Sequence, residues 1–215
     1  MLSESPMPTN LLPSDLSPPS SLVQNDYTLF QIEQIFLKEG YRRLTVGELA
    51  ARLRCSKRKL YEYASSKEEL FLMALRKNLD LIWELGLEAE ANADNPVKKI
   101  EDYMAACLVP IKSWSHSFLA DIQSTPAAKH MLDEHLRMRM DHLLAMVEDG
   151  IQSGKFRRFN AQLVAELILV TGTHFCSPEF LDRTGISLIR AIEEMLEIVW
   201  GGLVLHGHTS QIDGL

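Results

Sequence analysis

An all-α fold is predicted for this 215-residue chain, on three observations. Apolar residues recur at helical spacing through most of its length, as in Val97, Ile100, Tyr103, Met104, Cys107 and Leu108. Start and stop signals punctuate those stretches: Thr45 with Glu48, Ser66 with Glu69, Asn95-Pro96, and glycines at 40 and 154. No segment alternates like a half-buried strand or carries a two-residue hairpin turn. The expected layout is an N-terminal three-helix bundle with a helix-turn-helix, then a larger helical domain. The units are a disordered arm over 1–26, a small domain over 27–72 and a body over 73–215.

The arm holds Pro6, Pro8, Pro13, Pro18 and Pro19 with six serines and almost no periodic apolar pattern. It does not resemble a signal peptide, and it lacks the Arg and Lys that minor-groove arms use. A first helix is expected from about Tyr27 to Glu39, with Phe30, Ile32, Ile35 and Phe36 on its buried side and Gly40 as its stop. Thr45 caps the second helix, which turns Val46, Leu49, Ala50 and Leu53 inward. Ser56 caps a short basic helix anchored by Leu60, and Ser66 opens a long helix to about Leu87. Pro96 starts the next, which Pro110 ends or kinks. A short segment around Trp114–Ile122 follows, then a long helix over Ala127–Gln152 with Met131, Leu132, Leu136, Leu143, Leu144 and Val147 on its apolar side. Asn160 caps a helix from Leu163 to about Phe175, and after Ser177-Pro178 a last helix is expected from about Asp182 to Leu205.

Charge narrows the function. A net charge of −7 argues against a general nucleic-acid coat. Yet residues 41–67 carry eight Lys/Arg against Glu48 and Glu62, a local balance of +6 that leaves −13 elsewhere. A basic module on an acidic body can hold DNA at one place while the body avoids it. Lys57, Arg58 and Lys59 sit at the start of the short helix, with Tyr61, Glu62 and Tyr63 after them. That is the layout of a helix-turn-helix, whose second helix presents its N-terminal residues to the major groove. Tyr61 and Lys67 are placed to meet phosphates, as are the Thr45 hydroxyl and the amides that follow it.

These residues resemble the TetR family of bacterial transcriptional regulators. The match covers about Tyr27–Leu75 through Gly40-Tyr41, Leu44-Thr45-Val46, Leu49-Ala50, Ser56, Leu60-Tyr61-x-Tyr63 and Ser66-Lys67-Glu68-Glu69-Leu70. Gly154-Lys155-Phe156-Arg157 and Asn160 look like the linker before that family's dimerisation helices. The resemblance implies a cytoplasmic homodimer that binds a double-stranded DNA operator and a small effector. Its DNA contacts would be Thr45, Ser56, Lys57, Arg58, Lys59, Tyr61, Glu62, Tyr63 and Lys67. Three departures stand out: Arg54-Cys55 in the turn, Ala64 where an aromatic is usual, and Gly47 in place of a polar residue. A non-glycine at positive φ in that turn costs roughly 1 kcal/mol.

In the body, Trp83, Tyr103, Met104, Cys107, Trp114, Phe118 and His174 are the expected lining of an apolar effector pocket. Leu163, Leu167, Leu188, Ile192, Met195, Leu196, Val199 and Trp200 form two broad apolar stripes, expected to build a four-helix dimer interface. His130 and Glu134 have i, i+4 spacing, but a solvated histidine outweighs a metal ligand there, and no metal or cofactor is expected. Cys55, Cys107 and Cys176 are far apart and lack zinc or redox spacing, which fits a reduced cytosol. No apolar run reaches the roughly 18 residues of a membrane span. A nucleophile elbow, a glycine-rich phosphate loop and a His-Glu-x-x-His are all missing, so an enzyme is not expected. The leading expectation is a repressor released by a small, largely apolar effector. An activator or ligand-independent regulator of the same fold is the alternative, and a helical protein-interaction module a distant one.

Overall fold

The computed structural model describes residues 21–203, with side-chain burial given for 27–202. Ten helices are formed among them and no β-strand. The first is α1 (Ser21–Glu39), six residues longer than expected at its start. Those six residues, assigned above to the disordered arm, follow the last proline, so a nucleated helix can extend back through them one hydrogen bond at a time. The rest of the expected arm lies outside the described residues. Phe30 is also corrected: it is 47% exposed, with the Lys77 ammonium 5.9 Å from its ring centre.

The helix-turn-helix is α2 (Val46–Arg52) and α3 (Lys57–Tyr61). The expected capping box closes both ways, since Glu48 N donates to Thr45 Oγ1 (3.2 Å) and Thr45 N donates to Glu48 Oε2 (2.7 Å). Between the helices Arg54 adopts φ 51, the left-handed conformation expected of the turn, while Cys55 N reaches back to Ala50 O at 3.0 Å. Ser66 caps α4 (Lys67–Ala91) by accepting from Glu69 N. The Glu69 carboxylate returns to Ser65 N and Oγ, one residue earlier than in a capping box. The boundary expected at 72/73 falls inside α4, whose start packs in the small domain and whose remainder packs in the body.

The body adds α5 (Pro96–Ile111), α6 (His116–Ser124), α7 (Pro126–Gln152) and α8 (Ala161–Phe175). Pro110 lies inside the final turn of α5. The expected last helix is two: α9 (Pro178–Thr184) and α10 (Leu188–Leu203). Gly185 ends α9 at φ 68, and the Ser187 hydroxyl then accepts from Arg190 N to start α10. α4 packs on α1, α5 and α7, α7 also packs on α6 and α8, and α10 lies against α8.

One apolar core runs from Ile32 to Leu196. Its aromatic hinge joins head to body: Tyr41 stacks on Phe71 (4.3 Å), and Phe71 meets Phe36 (6.1 Å) and Phe118 (5.6 Å) edge-on. Three polar ties reinforce it. The buried Asp121 carboxylate of α6 accepts from Tyr41 N (2.5 Å) and Arg42 N (3.1 Å). Ser115 N donates to Leu37 O at 3.0 Å. The Thr125 hydroxyl bonds Tyr41 Oη (3.1 Å) and makes no cap bond to α7, which opens on Pro126 instead.

Candidate nucleic-acid interface and effector cavity

The short α3 is held from behind by Leu60, which is fully buried, so its remaining residues face outward. Lys57, Arg58 and Tyr61 are exposed, and the two cations make no ion pair among the described residues. Gly47 has a structural use: a Cβ there would stand 3.2 Å from Lys57 Cε, so glycine lets the lysine stem cross α2 closely. Lys59 and Glu62 are different, because their charges meet each other at 3.0 Å, and the lysine also lies 5.4 Å from the Tyr63 ring centre. The hydrogen bond to Glu62 raises the Lys59 pKa.

Lys67, expected at a phosphate, turns inward. Its ammonium donates to the Leu44 carbonyl and lies 5.3 Å from the Tyr41 ring centre. A carbonyl left open at the helix-linking loop competes successfully for the lysine, as backbone accounting requires. Ser56 Oγ and Thr45 Oγ1 both accept cap bonds yet remain at the exposed ends of α3 and α2. The Glu48 carboxyl is held below its usual range by its hydrogen bonds to the Thr45 backbone and side chain. Arg42, Arg43 and Arg54 flank α2, are exposed and make no ion pair among the described residues. They entered the charge count above, but their places outside the short helix hid them as contacts.

Behind the head, α4, α5, α7, α8 and α10 enclose a cavity of about 60 Å³. Met104 and Trp114 line it as expected. Trp83, Tyr103, Cys107, Phe118 and His174 do not. Phe118 is core, packed on Phe71 and Trp114. Tyr103 is fully buried with its ring against Gly86, where a Cβ would meet it at 2.6 Å, and Trp83 meets Tyr103 edge-on. Cys107 Sγ donates to Ile82 O at 3.5 Å, and His174 is exposed beside Phe180.

Two wall residues were not anticipated. His135 and Arg139 of α7 are 7% and 6% exposed, and His135 Nε2 and Arg139 Nε have no hydrogen-bond partner. Burial, reinforced by the Arg139 charge, pushes the His135 pKa down to about 4, so its ring is neutral near pH 7. The guanidinium lies 5.6 Å from the Tyr103 ring centre, and burial pushes that phenol up to about 12. The available signal was position: both residues fall on the apolar stripe of Leu132, Leu136 and Leu143.

The cavity connects to the head. Trp114 Nε1 donates to Asn78 Oδ1 (2.6 Å), and Asn78 Nδ2 donates to Glu33 Oε1 of α1 (3.2 Å). Asn78 and Glu33 are both buried. The expected interface residues divide. Leu163 and Leu167 are 68% and 56% exposed, joined by Val170 and Ile198. Leu188, Ile192 and Met195 turn inward to the cavity, and Leu196 is buried. Val199 and Trp200 are half-buried, with Trp200 stacked 6.3 Å from Phe156. His130 and Glu134 form an exposed pair at 3.2 Å, and no cluster of three or more His, Cys, Asp or Glu suited to a metal occurs among the described residues. No described helix is long and apolar enough to cross a membrane.

Residues 31–74 match the family model described as bacterial regulatory proteins of the tetR family. The HTH-type transcriptional regulator RutR of Escherichia coli K12 is 26% identical over 159 residues, spanning 71% of this chain and 74% of RutR. A transcriptional regulator from Saccharomonospora viridis, solved with choline, superposes with a TM-score of 0.71 at 14% identity, over 86% of this chain and 100% of that one. The TetR-family regulator PfmR of Thermus thermophilus gives 0.61 at 20% identity, over 81% and 97%. At such identities the structural likenesses establish the fold.

Proposed function

We propose that this chain, which belongs to the TetR family of bacterial transcriptional regulators, acts as a homodimeric repressor released from a palindromic operator by a small, largely apolar effector. As a family member it is a DNA-binding regulator of transcription and not an enzyme. The effector reading is carried by the apolar cavity, whose Trp114 is tied through Asn78 to Glu33 in the head. In this reading Lys57, Arg58 and Tyr61 make the principal contacts to DNA, helped by Ser56, Thr45 and Tyr63. Lys59 and Glu62 contribute as a pair, and Lys67 must leave the Leu44 carbonyl to reach a phosphate. Leu163 and Leu167, with Val170 and Ile198, supply the exposed apolar face for the second copy. Choline is a cation, and the Arg139 wall makes it a poor guide to the effector here.

A symmetric pair would set two α3 helices in successive major grooves, about 34–36 Å apart. The effector shifts the pair only by binding one head spacing better than the other. The test is selection of bound duplexes from a random pool, followed by footprinting at fixed salt. A palindrome with half-sites about one turn apart is expected. Enrichment of no motif, or binding unchanged in a Lys57→Ala, Arg58→Ala, Tyr61→Phe triple variant, would overturn it.

A further inference from the structure

Arginine keeps its charge at any physiological pH, so a buried guanidinium must be compensated by a partner rather than by losing its proton. Arg139 is 6% exposed, makes no ion pair among the described residues, leaves its Nε without a hydrogen-bond partner, and lies 5.6 Å from the Tyr103 ring centre. The cavity it lines contains no Asp or Glu. One helical turn earlier, His135 presents a second buried nitrogen without a partner. The remaining wall is apolar apart from the Cys176 thiol and the Trp114 indole N–H, which is already spent on Asn78. The space is thus walled mostly by apolar groups, with one fixed positive charge and one neutral imidazole at a single side.

We propose that this cavity holds a small amphipathic carboxylic acid as its anion, with the carboxylate on Arg139 and His135 and the apolar body between α5, α8 and α10. The proposal rests on the effector reading and names the chemistry of that effector. A carboxylate is a partner whose two oxygens match the guanidinium fork and whose single charge cancels the buried one. An anion without an apolar part would leave most of the wall unfilled. A neutral apolar molecule would leave the guanidinium uncompensated. About 60 Å³ admits some four to six water-sized groups at 10–15 Å³ each, which fits a short body. Met104, Met140 and Met195 in the wall are unbranched and can yield to a somewhat longer one.

The test is calorimetric titration of the full chain with straight-chain acids from acetate to octanoate, with benzoate and phenylacetate, and with the matching primary amides. Saturable binding of at least one acid is expected, at least about tenfold tighter than its amide. In Arg139→Met that preference should fall to within about threefold while the amide still binds. Sodium chloride and sodium sulfate, matched in ionic strength, should not compete as well as the acid. The wild-type comparison needs no variant, so a misfolded Arg139→Met does not rescue the idea. No binding by any acid, equal binding of acid and amide, or full competition by the inorganic anions would overturn it. Duplex selection separates the two readings. A selected palindrome released by neutral compounds alone leaves the repressor standing and removes the carboxylate, whereas acid binding without any selected duplex does the reverse.

Discussion

Asp121 offers the sharpest perturbation of the joint between head and body. Its carboxylate is 7% exposed and accepts two consecutive amides, Tyr41 N at 2.5 Å and Arg42 N at 3.1 Å. The chain can make that approach because residue 40 is glycine. At φ 74, a Cβ there would collide with the Asp121 carboxylate and lie 3.0 Å from the Ser117 carbonyl oxygen. Replacing Asp121 with alanine leaves the buried Tyr41 amide without an acceptor. A hydrogen bond to a charged group contributes about 1.5–3 kcal/mol, and an unmet buried amide costs about 1–3 kcal/mol. Taking the Tyr41 bond at about 2–3 kcal/mol and the half-exposed Arg42 bond at about 1, Asp121→Ala should cost about 3–4 kcal/mol. At about 2–4 °C per kcal/mol for a chain of this size, the melting temperature should fall by about 6–16 °C. Asp121→Asn keeps one acceptor and loses the charge, so about 1–2 kcal/mol is expected. Circular-dichroism melts at one fixed protein concentration would measure both, since the midpoint of the proposed dimer would depend on concentration. An alanine variant within about 0.5 kcal/mol of wild type, the usual range for an incidental surface change, would refute the assignment of Asp121 as the tie between α6 and the head.

Lys57→Ala should weaken operator binding and lower the salt slope by about 1, whereas Lys59→Ala should do so less because Glu62 already holds that charge. Fluorescence anisotropy across a salt series would read the difference, and equal slopes would contradict the ion-pair argument. His135 titrates near 4 when folded and near 6.5 when unfolded, so between those values the unfolded chain binds the extra proton. Its contribution is therefore complete above pH 6.5 and drains as pH falls toward 4, by up to about 3 kcal/mol. Urea midpoints from pH 4 to 8 should lose that slope in His135→Leu, and an unchanged slope would assign the acid sensitivity elsewhere. Gly86→Ala drives a methyl into the Tyr103 ring and should cost about 1–3 kcal/mol, measured by the same melts; no loss would mean the ring moves freely. Leu163→Asp with Leu167→Asp should give a monomer in sedimentation velocity if that face joins two copies, and a persisting dimer would place the interface elsewhere.

The head was legible because its signals are local. Thr45 and Glu48, Ser56, and Leu60 each specify their own turn of helix through a cap or an anchor. The left-handed Arg54 was legible only through the family resemblance, which puts glycine in that turn. What escaped depends on distant partners. Nothing near Lys67 in sequence reveals that the Leu44 carbonyl competes for its ammonium, and nothing near Thr125 reveals the Tyr41 hydroxyl. The cavity wall was legible at two of the seven expected positions. Aromatic and methionine content pointed to the middle helices, but Tyr103 and Phe118 went to the solid core while Met104 and Trp114 faced space. The Gly185 break was overlooked because the apolar period on either side of it runs on without interruption.

The Trp114–Asn78–Glu33 chain bears on anyone who would retune this protein as a biosensor. Trp114 is at once a wall of the cavity proposed for the effector and the end of a buried thread that reaches the head. On the proposed reading, a substitution there would change which compound is detected and also reset the unliganded baseline, so the two readouts would become entangled in any screen. The opposite wall offers cleaner handles. Ile168, Leu169, Ile192 and Met195 touch the same space, and no side-chain hydrogen bond ties them to the head. On the same reading, a library confined to those positions would vary selectivity with the least effect on the contacts to the head.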